Sequence, residues 1–167
     1  MRFSAPEEYG LRCMLQMARN GNNGSVTINE LAEMEALTPA YVAKLMRILR
    51  KAGYVESTRG QNGGYLLAKP ATMINIGEVL DALGGRLHDE AYCKRFSGNM
   101  RICVHSSDCT VKSLLQGLDL LLDRVLSNCK LSDLVQPRSH IESWVRNYID
   151  DESLKVETVS NCRSDPE

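Results

Sequence analysis

Apolar positions recur at helical spacing through most of the chain, and the helix starts are marked by side chains able to cap them. Ser4-x-x-Glu7, Thr27-x-x-Glu30, Asn75-x-x-Glu78 and Ser139-x-x-Glu142 each set a short polar side chain three residues before a Glu that can reach back. Thr38-Pro39 adds a start with proline at the first helical position, where its missing N–H costs nothing. These signals predict helices over about 5–19, 28–36, 39–52 and 76–83, with Gly53 and Gly84-Gly85 as stops. Between the third and fourth helices the period changes. Tyr54–Thr58 and Tyr65–Ala68 look like short strands, joined by the glycine-rich tip Arg59–Gly64. A long helix is predicted over about 110–128, striped by Leu114, Leu115, Leu118, Leu121, Leu122, Val125 and Leu126, and a further one over about 140–149.

At 167 residues, 43% apolar and 25% charged, the chain is expected to form one soluble domain with an appended arm. No apolar run approaches the ~20 residues of a membrane span, and MRFSAPEEYG lacks a signal-peptide core. The expected compartment is the cytoplasm. The net charge of −1 hides an asymmetry: residues 1–69 carry nine Lys/Arg against six Glu, and within 41–69 the count is six basic to one acidic. A locally basic segment in a near-neutral chain fits a protein that meets nucleic acid on one face.

Helix two, the link Ala36-Leu37-Thr38, helix three and the hairpin follow the order of a winged helix-turn-helix. At 100° per residue, Val42, Leu45, Met46 and Leu49 share one face of helix three, while Ala40, Lys44, Arg47 and Lys51 lie opposite. Such a helix can dock by its apolar stripe and meet phosphates and base edges with its basic one. Thr38, Tyr41 and Lys44 are the candidate base readers, and Arg47 and Lys51 the candidate phosphate contacts. Arg59 and Gln61 sit at the wing tip, where glycines allow close approach to a groove. A solvated basic face would explain each charge singly; the order of elements, the polarity of the stripe and the wing together point to DNA. No Ser/His/Asp pattern, phosphate loop or paired acid–base set is present, so no catalytic residues and no enzymatic activity are expected.

The blocks MRFS…YGLRCMLQMA, LTPAYVAKLMRILRKAGYVESTRGQNGGYLLAKP and INIGEVLDALGG resemble the bacterial winged-helix transcriptional regulators of the IscR/NsrR/CymR family. The resemblance covers about residues 1–134 and is most specific in the recognition helix followed by RGxxGGYLL. It implies a homodimer, with the long helix over 110–128 crossing its partner, bound to a pseudo-palindromic double-stranded operator; a repressor is the expected role. The apolar stripe supports pairing through Leu114, Leu115, Leu118, Leu121, Leu122 and Val125, although half of these can equally serve an intramolecular core. The expected fold class is mainly α with a small β-hairpin wing: a winged helix-turn-helix domain plus a long dimerisation helix. Its expected parts are a DNA-binding domain over 1–85, a cysteine-containing sensor loop over 86–109, a dimerisation region over 110–134, an extra helix within 135–152 and a disordered polar tail over 153–167.

Cys93, Cys103 and Cys109 fall in that loop as C-x9-C-x5-C. Many members of the family hold an iron–sulfur cluster with three cysteines here, commonly at C-x5-C-x5-C; the second interval matches and the first is four residues longer. Thiolates are soft, strongly donating ligands suited to such a cluster, [2Fe–2S] or [4Fe–4S]. Zinc usually takes close C-x2–4-C pairs, which are absent, while a thiol switch or buried inert cysteines remain alternatives. In IscR-like members the fourth ligand is a His three residues past the last cysteine, where this chain has Lys112. In NsrR-like members it is an acidic residue of the first helix donated by the other subunit, and the alignment places Glu8 there. His105 and His88 are the rivals. Glu7 is accounted for as the capping partner of Ser4, and Cys13 reads as a core residue.

Overall fold

The computed structural model describes residues 4–21, 24–60, 63–84 and 108–150. In chain order these form α1 (Ala5–Asn20), α2 (Ile28–Glu35), α3 (Pro39–Lys51), β1 (Val55–Thr58), β2 (Gly64–Leu67), a 3-10 turn (Ala71–Met73), α4 (Ile76–Leu83), α5 (Thr110–Leu126), α6 (Leu131–Val135) and α7 (Arg138–Asp150). The protein is mainly α with one antiparallel hairpin. The chain divides into two compact units, Met1–Val135 and Gln136–Glu167. No described helix is long and apolar enough to cross a membrane.

Local chemistry sets the helix starts. Thr27 and Glu30 form a reciprocal box: the Glu30 N–H donates to Thr27 Oγ1 at 3.2 Å, and the Thr27 N–H donates to the Glu30 carboxylate at 2.7 Å. The Ser4 N–H donates to Glu7, as the spacing predicts. Thr38 Oγ1 accepts from the Tyr41 N–H, with Pro39 behind it at the first helical position. One expected box does not form. Helix α7 starts at Arg138, just past Pro137, and Glu142 pairs with Arg138 one turn back, so Ser139 lies inside the helix.

Helix α2 stops one residue earlier than the periodicity suggests, because Ala36 takes the left-handed conformation (φ 53°) and closes the turn, with the Leu37 N–H returning to Ala32 O at 2.8 Å. Helix α5 ends at Leu126, two residues short of the expected stop. The 3-10 turn and α6 carry too few residues to show a periodicity.

The hairpin pairs Val55↔Leu67 through Thr58↔Gly64. Val26 adds an isolated bridge to Tyr65 on the other edge of β2, each N–H reaching the other's carbonyl at 2.8 Å. Gly64 is required there: a Cβ at this position would stand 2.7 Å from the Val26 carbonyl oxygen. Behind the hairpin, α1, α2, α3 and α4 pack around Cys13, Met14, Leu31, Val42, Leu45, Met46, Leu49 and Val79, all fully buried. The four apolar side chains of α3 among them each contribute roughly 1.5–3 kcal/mol relative to exposure. They dock the helix by the face that the 100° projection selected, and Gly10 lets α1 approach Leu83 of α4 closely.

Candidate nucleic-acid interface

With Val42, Leu45, Met46 and Leu49 turned inward, α3 presents Lys44, Arg47 and Lys51 to solvent, with exposed Thr38 and half-buried Tyr41 at its start. Arg59 is exposed just past the end of β1, at the tip end of the wing; Gln61 lies outside the described residues. Between wing and helices runs an open groove of about 530 Å³, lined by Thr27, Asn29, Pro39, Ala43, Ser57, Thr58 and Gly63, among others. The hydroxyls and backbone groups of this groove escape sequence reasoning because the wing residues stand between eighteen and thirty-six positions from Thr27 and Pro39, the helix starts they face. Arg50 turns toward the wing, its Nη1 donating to Ser57 Oγ at 3.4 Å.

A second constellation missed in the sequence holds the helix-turn-helix in place. Glu35, the last residue of α2, is buried to 3% side-chain exposure. A buried carboxylate is stable only if paired and hydrogen-bonded. Arg12 Nε donates to its Oε2 at 2.5 Å and Gln16 Nε2 to its Oε1 at 2.7 Å, both from α1. The Arg12 guanidinium also lies 5.5 Å over the Tyr9 ring, and Tyr9 meets Tyr41 edge-on with centroids 6.1 Å apart. Helix α1 thus grips both the turn and the first turn of α3.

Helix α5 carries its stripe on two faces. Leu115, Leu122, Val125 and Leu126 are half-buried, and Leu126 lies against Gly77 of α4. Val111, Leu114, Leu118 and Leu121 are 43–64% exposed, at alternating spacings of three and four. That is the pattern of a seam between helices.

Of the sensor residues, Cys109 is the N-cap of α5, half-buried, its Sγ accepting from the Lys112 N–H at 3.4 Å. Glu8 lies on α1, with its side chain 61% exposed and 3.8 Å from Arg12. Cys93, Cys103, His88 and His105 lie outside the described residues, and no group of three His, Cys, Asp or Glu able to hold a metal occurs among those described. Cys13 and Cys129 are buried, and burial, reinforced by neighbouring acids, pushes both thiols up, Cys13 to about 11. Neither suits a reactive or metal-binding role in the folded protein.

A family model described as an iron-dependent transcriptional regulator, Rrf2, matches residues 3–137. The regulator IscR of Klebsiella pneumoniae is 33% identical over 164 residues, covering 98% of this chain and 94% of its own. Two solved structures share the architecture. IscR of T. potens gives a TM-score of 0.63 at 27% identity, over 81% of this chain and 86% of that one. CymR, the global cysteine regulator of B. subtilis, gives 0.65 at 26% identity, over 81% and 96%. A recognition helix, a wing and relatives that are helix-turn-helix regulators agree: the chain belongs to the Rrf2 family and is a DNA-binding transcriptional regulator, not an enzyme.

Proposed function

We propose that this regulator works as a homodimeric repressor on a pseudo-palindromic operator, and that an iron–sulfur cluster on Cys93, Cys103 and Cys109, completed by the partner subunit's Glu8, controls its affinity. The observation that carries the DNA reading is the basic face of α3 standing over a fully buried apolar face beside the wing groove. In this reading Thr38, Tyr41 and Lys44 read base edges, and Arg47, Lys51, Arg59 and Gln61 hold phosphates or enter the minor groove. Pairing is assigned to the face of α5 carrying Leu114, Leu118 and Leu121, with Leu115, Leu122 and Val125 bordering it on the inner side.

The donor set suits a cluster. Three thiolates are soft ligands, and Cys109 already receives a backbone N–H on its sulfur, one of the contacts that tune cluster potentials. The Glu8 carboxylate is accessible, and its exposed pair with Arg12 is worth at most about 1 kcal/mol, so ligation displaces little. When bound, a cluster with an oxygen ligand supplies an iron open to small diatomics and oxidants. Whatever Cys109 holds is felt at the first turn of α5, the helix assigned to the dimer.

Anaerobic purification with iron and sulfide analysis tests the sensor. Cluster-loaded protein is expected, stripped by Cys→Ala at any of the three positions. A colourless, iron-free protein from anaerobic cells would replace it with regulation through the thiols, the reading that the longer first cysteine interval favours.

A further inference from the structure

The recognition helix and the long helix are separate elements, yet half-site spacing on DNA depends on the angle between them. Their connection within the described residues runs through α4, which packs on α3 and meets α5. At the start of α4 stands Asn75, only 8% exposed. Its Oδ1 accepts from the Glu78 N–H at 3.2 Å, capping α4. Its Nδ2 donates to Ser127 O at 2.7 Å and Leu126 O at 3.3 Å, the carbonyls of the C-cap and of the last residue of α5. Two backbone bonds flank it, from the Ile76 N–H to Cys129 O at 3.0 Å and from the Leu131 N–H to Ile74 O at 2.9 Å. Ile74, Ile76, Cys129 and Leu131 bury the joint.

A helix N-terminus needs an acceptor, and a helix C-terminus needs a donor. Ser, Thr, Asp and Asn all cap the former, but only the Asn amide also carries N–H groups free to close the latter. We infer that Asn75 is a positioning residue: its amide locks the C-terminus of α5 to the N-terminus of α4 and so fixes the separation of the two recognition helices in the dimer. This rests on the dimeric operator reading above.

The test uses the full chain and a duplex recovered by wild-type selection from random double-stranded DNA, together with versions shortened or lengthened by one central base pair and a single half-site. Asn75→Asp keeps an acceptor for α4 but sets a carboxylate against two carbonyls; Asn75→Ser keeps the cap but replaces the two amide N–H donors with a single hydroxyl on a side chain one atom shorter. Both variants are expected to remain folded dimers and to bind the single half-site as wild type does. Both should lose about tenfold or more on the selected duplex, and with it the discrimination between spacings. Wild-type discrimination in both variants overturns the assignment, as does an equal loss on half-site and full duplex, which marks simple destabilisation. If Asn75→Asp fails to fold, Asn75→Ser decides alone. A wild-type protein without spacing preference, or without dimers, overturns the operator reading itself, and the joint with it.

Discussion

Truncating the exposed apolar face of α5 separates a dimer seam from ordinary surface leucines. Leu114 is 64% exposed and Leu118 43% exposed in the single chain. Fully burying a leucine is worth roughly 2–3 kcal/mol, so covering the open part of Leu114 contributes about 1.5 kcal/mol and that of Leu118 about 1 kcal/mol. A two-fold interface counts each residue twice. Leu114→Ala should therefore weaken the dimer by about 3 kcal/mol, on the order of 100-fold in Kd, and Leu118→Ala by about 2 kcal/mol, on the order of 30-fold. Leu120 supplies the control: it is 69% exposed but lies on the opposite side of the same helix, so Leu120→Ala should leave association unchanged. Sedimentation equilibrium measures all three, with thermal unfolding to confirm the fold. If Leu120→Ala weakens the dimer as much as Leu114→Ala, or if none of the three changes it, the seam has been assigned to the wrong face.

On the DNA side, Lys44→Ala and Arg59→Ala should each weaken operator binding with fold and dimer intact. A lost base contact costs about 1–3 kcal/mol and relaxes preference at one position, whereas a lost phosphate contact weakens all sequences and flattens the salt slope; titrations at several salt concentrations distinguish them. The buried Cys13 thiol, pushed up to about 11 from 9.0, favours the protonated form in the folded state. Its contribution is complete below pH 9 and lost as pH rises toward 11, up to about 2–3 kcal/mol, so urea midpoints should fall over that window and fall less in Cys13→Ala. Cys129 and Tyr54 shift the same way, leaving a residual slope. Glu8→Ala should keep part of the cluster with an altered spectrum, and Glu8→Cys should give a centre less reactive toward oxidants; a wild-type spectrum in Glu8→Ala alongside a changed one in His105→Ala would move the fourth ligand to His105.

What could be read from residues alone was the chemistry that acts over three or four positions. Thr27 with Glu30, Thr38 with Pro39, and Asn75 with Glu78 announce their helices because cap and partner are neighbours in the chain. The buried and basic faces of α3 follow from one angular projection. The unreadable parts depend on residues brought together by folding. Glu35 reads as one more surface acid of α2 until Arg12 and Gln16, on another helix, meet it in the core. Asn75 shows its cap in the sequence but not its second role, because its other partners are 51 and 52 residues away. Ala36 gives no hint of its left-handed backbone, a conformation the sequence advertises only at glycine or asparagine. The stripe of α5 was visible as a stripe, yet its division between α4 and solvent depends on where α4 lies.

The central claim, a cluster-controlled operator switch, is tested most directly by titrating one operator duplex with anaerobically prepared, cluster-loaded protein and with the same preparation after iron is removed by a chelator. Operator affinities that differ by about tenfold or more, equivalent to ~1.4 kcal/mol or more of coupling between sensor and DNA, are the expected result. Equal affinities from two preparations that differ only in iron and sulfide would contradict it.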